Sequence, residues 1–72
     1  MLLQDDTHYV LTSLYRKARV TTHELTEAVG RPGFVSSWSG LGSVFLLFDE
    51  PMSIKGCHYT GVYVSARDLE LI

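Results

Sequence analysis

Three histidines and one cysteine are the side chains of this 72-residue chain best suited to metal binding. His8, His23 and the adjacent pair Cys57-His58 lack the Cys-x-x-Cys or His-x-x-x-His spacing that assembles a tetrahedral site. Neighbouring strand residues point to opposite faces of a sheet, so Cys57 and His58 also make a poor nucleophile–base pair. The sequence therefore predicts neither a metal site nor a cofactor.

The remaining candidates for chemistry have structural explanations. Gly40-Leu41-Gly42-Ser43 contains no lysine and precedes a predicted strand, whereas a phosphate-binding loop follows a strand and opens a helix. The carboxylate pairs Asp5-Asp6 and Asp49-Glu50 flank predicted element ends, as helix caps and solvated turns do. We therefore predict no catalytic residues and a protein that is not an enzyme.

Length and charge limit the remaining functions. A chain of 72 residues can build one small core. Its net charge of −2 is not that of a strongly basic nucleic-acid binder. The single cysteine cannot form an internal disulfide, and the longest apolar run, residues 44–48, is far too short to span a bilayer. We expect one domain over residues 1–72 in a reducing, cytoplasmic compartment, with no membrane partner.

Apolar periodicity predicts helices in the first half of the chain. Tyr9, Leu14 and Ala18 belong to an apolar stripe with spacings of three and four, which indicates a helix over residues 5–18. Thr21 and Glu24 have the spacing of a capping box, and Gly30 is a typical helix stop. A second helix is therefore predicted to begin after Thr21 and to end at Gly30. Residues 31–42 permit a short third helix, although four glycines from 30 to 42 weaken it.

The second half of the chain is β-rich. Residues 43–48 and 57–64 contain the β-branched and aromatic side chains typical of strands, with a loop predicted over residues 52–56. The prediction is an antiparallel hairpin, followed at Ser65 by a last helical turn or a short tail. The expected fold class is a small α+β domain with two or three N-terminal helices followed by this hairpin.

The segment from Val20 to Gly30, with Leu25 four residues before Val29, resembles the first helix and turn of a helix-turn-helix unit. The hairpin that follows resembles the wing of the winged-helix family, and the element order extends this resemblance over nearly the whole chain. The resemblance implies a DNA-binding transcriptional regulator, acting as a homodimer on double-stranded DNA. Residues 34–41 would then form the recognition helix in the major groove.

The resemblance also assigns the DNA contacts. Basic side chains would meet phosphates at the helix ends and the wing tip, and serines would donate to phosphates or base edges. The predicted DNA-binding residues are Arg16, Lys17, Arg19, Arg31, Ser36, Ser37, Ser39 and Lys55.

A different function class fits the same composition. Eight aromatic residues are more than so small a core needs, so some of them are expected to form an exposed anchor patch. Phe34, Trp38 and Phe48 are the candidate interface residues. The alternative is therefore a protein–protein interaction module, or a small inhibitor or accessory protein that docks on a larger partner, and the same patch could close a homodimer.

Overall fold

The structure, a computed structural model, describes residues 5–72, which fold mainly as one antiparallel sheet. The described residues form the elements α1 (Asp5–Ser13), β1 (Lys17–Val20), β2 (Pro32–Gly40), β3 (Ser43–Ile54), β4 (Cys57–Ser65) and β5 (Leu69–Leu71). Short 3₁₀ turns lie at Thr26–Ala28 and Ala66–Asp68. The strand order is β4-β3-β2-β1-β5, so the last strand returns to pair with the first.

This architecture shows that the predicted winged-helix-like α+β class is wrong. Five strands and a single short helix occupy residues 5–72, where two or three helices and one hairpin were expected. The error lies in the first half of the chain. Apolar residues there have the spacing of a helix, but most of them pack as parts of a sheet.

The first predicted helix ends early. It was expected to run to residue 18 but ends at Ser13, and Tyr15 takes a left-handed backbone conformation with φ of 62°. The reversed backbone turns the chain into β1, and the N–H of Tyr15 donates to the carbonyl of Val35 on β2. Ala18, the last residue of the predicted apolar stripe, is buried in β1 instead.

The second predicted helix is reduced to the 3₁₀ turn at Thr26–Ala28. No capping box forms: the N–H of Leu25 donates to Nδ1 of His23, at 2.9 Å, and the N–H of Thr21 donates to the carbonyl of Asp68. One local hydrogen bond and one to a distant residue thus take the place of the predicted cap.

The predicted recognition helix is strand β2. Along β2, Gly33 and Val35 are buried while Phe34 is exposed, which is the alternation of a strand with one face on the core. The register with β3 shifts between Val35 and Ser37, as at a β-bulge, and this extra residue gave the apolar positions their helix-like spacing.

The predicted antiparallel hairpin is confirmed, and it is longer than expected. β3 continues through Pro51, which lies in the interval from Leu47 to Met52 where the register with β4 shifts. A two-residue turn at Lys55-Gly56 joins the strands, with φ of 51° and 83°, the pair of positive values that a type I′ turn requires. The helical turn predicted after Ser65 is also present, but β5 beyond it was not foreseen.

The core lies between the inner face of the sheet, α1 and the two 3₁₀ turns. It consists of small and branched apolar side chains drawn from nearly every element: Val10, Ala18, Val20, Ala28, Val35, Val44, Leu46, Phe48, Met52, Val62, Val64 and Ala66. Every strand except β5 thus contributes a fully buried or nearly buried side chain to this one cluster.

Two glycines permit a close approach of the neighbouring strands to β3. A Cβ atom at Gly33 would lie 2.3 Å from the carbonyl oxygen of Leu47, and one at Gly61 would lie 2.3 Å from that of Leu46. Real side chains do not approach a backbone oxygen so closely, so only glycine fits at either position. Both contacts are made to the middle of β3, where β2 and β4 close on it from either side.

The loop between β1 and β2 reaches across to β4 at the edge of the sheet. His23, in this loop, places Nε2 at 2.7 Å from the carbonyl oxygen of Tyr63 on β4. A carbonyl only accepts and the N–H of Leu25 donates to Nδ1, so the proton of the ring resides on Nε2. The histidine thereby connects the β1–β2 loop to an edge strand and satisfies one of its outward carbonyls.

No helix in residues 5–72 combines the length and the apolar character needed to cross a bilayer.

We expect Gly33→Ala to lower the free energy of unfolding by about 2 kcal/mol or more, because the new methyl group overlaps the Leu47 carbonyl. Urea denaturation measures the loss. The matched control is Gly56→Ala, where no atom lies within 4 Å of the added Cβ and only the positive φ opposes it, at a cost of about 1 kcal/mol. Equal losses in the two variants would contradict the close approach of β2 and β3.

We expect His23→Ala to lower the free energy of unfolding by about 1–2 kcal/mol, because two hydrogen bonds are lost. His8→Ala, an exposed change on α1, is the control and should cost less than about 0.5 kcal/mol. Independently, ¹⁵N NMR at mildly alkaline pH should show His23 with the proton on Nε2; the Nδ1–H tautomer would disprove the bridge.

Candidate functional site: an aromatic face on the sheet

The face of the sheet turned away from the core carries large apolar side chains. Alternation along β2, β3 and β4 places four of these residues outward, and Tyr15, in the turn before β1, has its ring beside Phe34. We call them together the aromatic face: Tyr15, Phe34, Phe45, Leu47 and Tyr63. Tyr15 and Tyr63 are each 66% exposed, while Phe45 between them is half-buried. A sheet face covered only by water normally carries polar residues, so this one is unusual.

The aromatic face is continuous across the sheet. Phe34 and Leu47 are directly opposed on β2 and β3, and Phe45 and Tyr63 are directly opposed on β3 and β4. The rings of Phe45 and Tyr63 meet edge to face at 5.0 Å, and those of Tyr15 and Phe34 are 6.5 Å apart. Each side chain is therefore held by a neighbour on the same face.

Gly61 explains how the middle of this face is filled. It lies opposite Leu47 on the outer face, and a Cβ there would stand 2.7 Å from two ring atoms of Phe45. The phenyl ring therefore lies directly over the glycine and covers a backbone that would otherwise be open to water. A covering ring of this kind is a recognised way to stabilise glycine in a strand.

An ion pair lies at the border of the aromatic face. Lys17, opposite Phe34 in the register, forms an ion pair with Asp49 on β3. Both side chains are about half exposed, so the pair contributes little stability, but it leaves this border without net charge.

Most of the basic residues predicted to contact DNA lie in or next to β1 and β2. Arg16, Lys17 and Arg19 follow one another along the β1 segment, and Arg31 directly precedes β2. Lys55 lies apart, in the turn between β3 and β4.

Several of these cations have partners within the domain. Arg19 pairs with Glu70 of β5 at 3.3 Å, in addition to the pair between Lys17 and Asp49. Arg31 donates to the carbonyl of Glu27, and its guanidinium lies 6.0 Å from the centre of the Phe48 ring. Their positive charge is thus partly neutralised before any phosphate approaches.

The predicted serine contacts fall on β2 rather than on a recognition helix. Ser37 and Ser39 are exposed, while the hydroxyl of Ser36 donates to the carbonyl of Phe45. With no helix at this position, these hydroxyls lie on a strand and not on the recognition helix that the resemblance implied.

The predicted interface residues divide between surface and core. Phe34 belongs to the aromatic face, and Trp38 is 43% exposed near the β2–β3 turn. Phe48 is only 5% exposed, so it packs in the core and offers no surface for a partner.

Sequence reasoning missed most of the aromatic face. Residues 43–48 are almost uninterruptedly apolar, which is the composition of a strand buried on both sides. The pattern contained no polar alternation to reveal that Phe45 and Leu47 face outward while Val44 and Leu46 face the core. Tyr15 was assigned to a helix, which concealed its place beside Phe34.

The histidines, the cysteine and the carboxylates considered for metal binding or nucleophilic chemistry do not form a cluster in the part of the chain that the structure describes. Over residues 5–72, no three His, Cys, Asp or Glu side chains lie close enough to share a metal ion. Ser53 and His58 form a hydrogen bond of 2.9 Å across the β3–β4 hairpin, and both are exposed near its turn.

No family model, curated protein or solved structure matches this chain.

Proposed function

We propose that this chain is a small, non-catalytic protein-interaction module that docks its aromatic face on an apolar, uncharged surface of a larger protein. The observation that carries the proposal is the row of outward apolar side chains on β2, β3 and β4, which Tyr15 extends from the turn before β1 and of which all but Phe45 are exposed. From the usual areas of aromatic side chains and their exposed fractions, the face presents about 400 Å² of apolar surface, the size of patch that is often functional.

This area supports a complex of moderate affinity. Burying about 400 Å² of apolar surface contributes about 10 kcal/mol from this side of an interface, to which the partner adds its own share. Association and side-chain ordering consume most of that gain, so a dissociation constant in the micromolar range is expected. The ring pairs are already formed within the free domain, which lowers the ordering cost.

The chemistry of the face defines the chemistry of its partner. No charged side chain belongs to the aromatic face, and the bordering Lys17 is neutralised by Asp49. A charged partner surface would lose its hydration here without gaining an opposite charge. Tyr15 and Tyr63, the most exposed members, each add a hydroxyl that can donate to a polar group at the rim of an apolar contact.

DNA binding, and with it a role in transcription, stays a prediction with weaker support. Its recognition helix is replaced by β2, and two of its cations pair with carboxylates. The homodimer likewise stays a prediction, with the aromatic face as the surface that a second copy would occupy.

A reducing, cytoplasmic location belongs to the same proposal. It is supported by Cys57, a free and exposed thiol near the β3–β4 turn, because exposed thiols persist in reducing compartments.

The test replaces the two most exposed rings together, Tyr15→Ser and Tyr63→Ser. This double variant should lose a partner that the wild-type domain captures from extracts of its source and that binds it again when both proteins are purified. Calorimetry of the purified pair should give a micromolar dissociation constant and a negative heat-capacity change for the wild type, and at least tenfold weaker binding for the variant. Leu41→Ser, 90% exposed but outside the aromatic face, is the matched control and should bind as the wild type does.

Three results would contradict the proposal. The first is equal partner affinity for the double variant and the wild type. The second is sedimentation of the wild type as a dimer that the double variant converts to monomer, which would assign the face to a second copy. The third is retention of duplex DNA at low salt that is lost in Arg16→Ala and Arg19→Ala, with no protein partner bound.

A further inference from the structure

The two edge strands of the sheet differ in their protection against pairing with another chain. β5, at one edge, is three residues long and carries the exposed carboxylate of Glu70. β4, at the other edge, is nine residues long and contains no charged residue and no proline. Short length, charge and proline are the usual means by which an edge strand avoids other strands, so the sequence of β4 leaves its edge suited to pairing.

The open side of β4 includes the backbone of Gly61 and Tyr63. The carbonyl of Tyr63 accepts a hydrogen bond from His23 in the β1–β2 loop, so it points away from β3. In an antiparallel pair the N–H and C=O of one residue point to the same side, and that side alternates along the strand. Gly61, two residues earlier and still in regular register with β3, therefore points the same way as Tyr63. We call the N–H and C=O groups of these two residues the β4 edge.

His23 covers one group of the β4 edge. Its Nε2 lies 2.7 Å from the carbonyl oxygen of Tyr63, where the N–H of an added strand would have to lie. The ring is fixed from its other side, because Nδ1 accepts from the N–H of Leu25 at 2.9 Å and the Leu25 side chain packs against the core. In the part of the chain that the structure describes, the other groups of the β4 edge have no backbone partner. The imidazole therefore excludes another strand from this edge.

We propose that the β4 edge is a pairing surface for the β4 strand of a second copy of this chain, and that His23 blocks it in the free domain. A twofold axis at Val62 sets Gly61 of each copy opposite Tyr63 of the other. Each such pair exchanges two hydrogen bonds, about four in all, and half of them use the Tyr63 carbonyl that His23 occupies. A second β4 strand brings no charge into this contact.

This contact is independent of docking on the aromatic face. Pairing uses the backbone of Tyr63, whereas the aromatic face uses its ring. The pairing also involves few residues, so its area falls below that of a stable interface and the dimer is weak.

The test removes the group that covers the Tyr63 carbonyl and keeps the contact with Leu25. In His23→Asn the side-chain oxygen takes the place of Nδ1 as acceptor, and no group reaches Tyr63. This variant, and His23→Ala with it, should form a dimer with a dissociation constant of about 1 mM, whereas the wild type stays monomeric. Sedimentation equilibrium at about 0.05–2 mM measures the association. At the highest concentration the amides of Gly61 and Tyr63 should exchange about twofold more slowly in His23→Asn than in the wild type.

Two control variants separate strand pairing from loss of stability. His23→Gln keeps a side-chain N–H at the position of Nε2, which donates to the Tyr63 carbonyl, and should be monomeric. Gly56→Ala strains the β3–β4 turn but leaves His23 in place, and should also be monomeric.

The proposal is overturned if folded His23→Asn and His23→Ala both stay monomeric at about 2 mM, or if His23→Gln associates as strongly as they do. A wild-type dimer that protects the same two amides would show that His23 does not block the edge. If adding Tyr15→Ser dissociates the His23→Asn dimer while those amides exchange as in the wild type, the contact lies on the aromatic face instead.

Discussion

The close contact of β2 and β4 with the middle of β3 is the constraint on which the rest of the structure depends. At Gly33 and Gly61 the neighbouring strands approach β3 so tightly that a single methyl group would overlap a carbonyl oxygen. The strands held together in this way form a sheet whose inner face carries most of the core, with only one α-helix in residues 5–72. On the opposite face Phe45 covers Gly61, in the middle of the aromatic face.

The sequence predicted the second half of the chain much better than the first. The hairpin of β3 and β4 was recognisable because β-branched and aromatic residues are concentrated there and turn residues separate them. In the first half, local cues favoured helices: a capping-box spacing at Thr21 and Glu24, and apolar spacings of three and four through residues 34–41. Those cues were outweighed by the pairing of β2 with β3, which follows it directly, and of β1 with β5, which lies too far along the chain for a local pattern to reveal.

The candidate site was harder to predict than the fold, for a related reason. Identifying exposed aromatic residues requires knowing which face of each strand meets the core, and a continuous apolar run such as residues 44–48 conceals this. Phe34 and Trp38 were anticipated as surface residues, and both are exposed. Phe48 was expected beside them, but it lies three positions after Phe45 on β3, an odd offset, and therefore faces the core. A surplus of aromatic residues thus indicated that a patch exists without locating it.

The pairing of the last strand with the first has a consequence for how the chain is made. Arg19 on β1 and Glu70 on β5 are 51 residues apart in sequence, and β1 reaches its full set of strand neighbours only when β5 arrives. During synthesis one edge of β1 therefore stays unpaired until residues 69–71 have left the ribosome. Contacts of such sequence separation form slowly, so the nascent chain passes through a stage with an open β-edge and an exposed core. The arrival of β5, rather than any local element, then governs when the edge of β1 is protected from pairing with other chains.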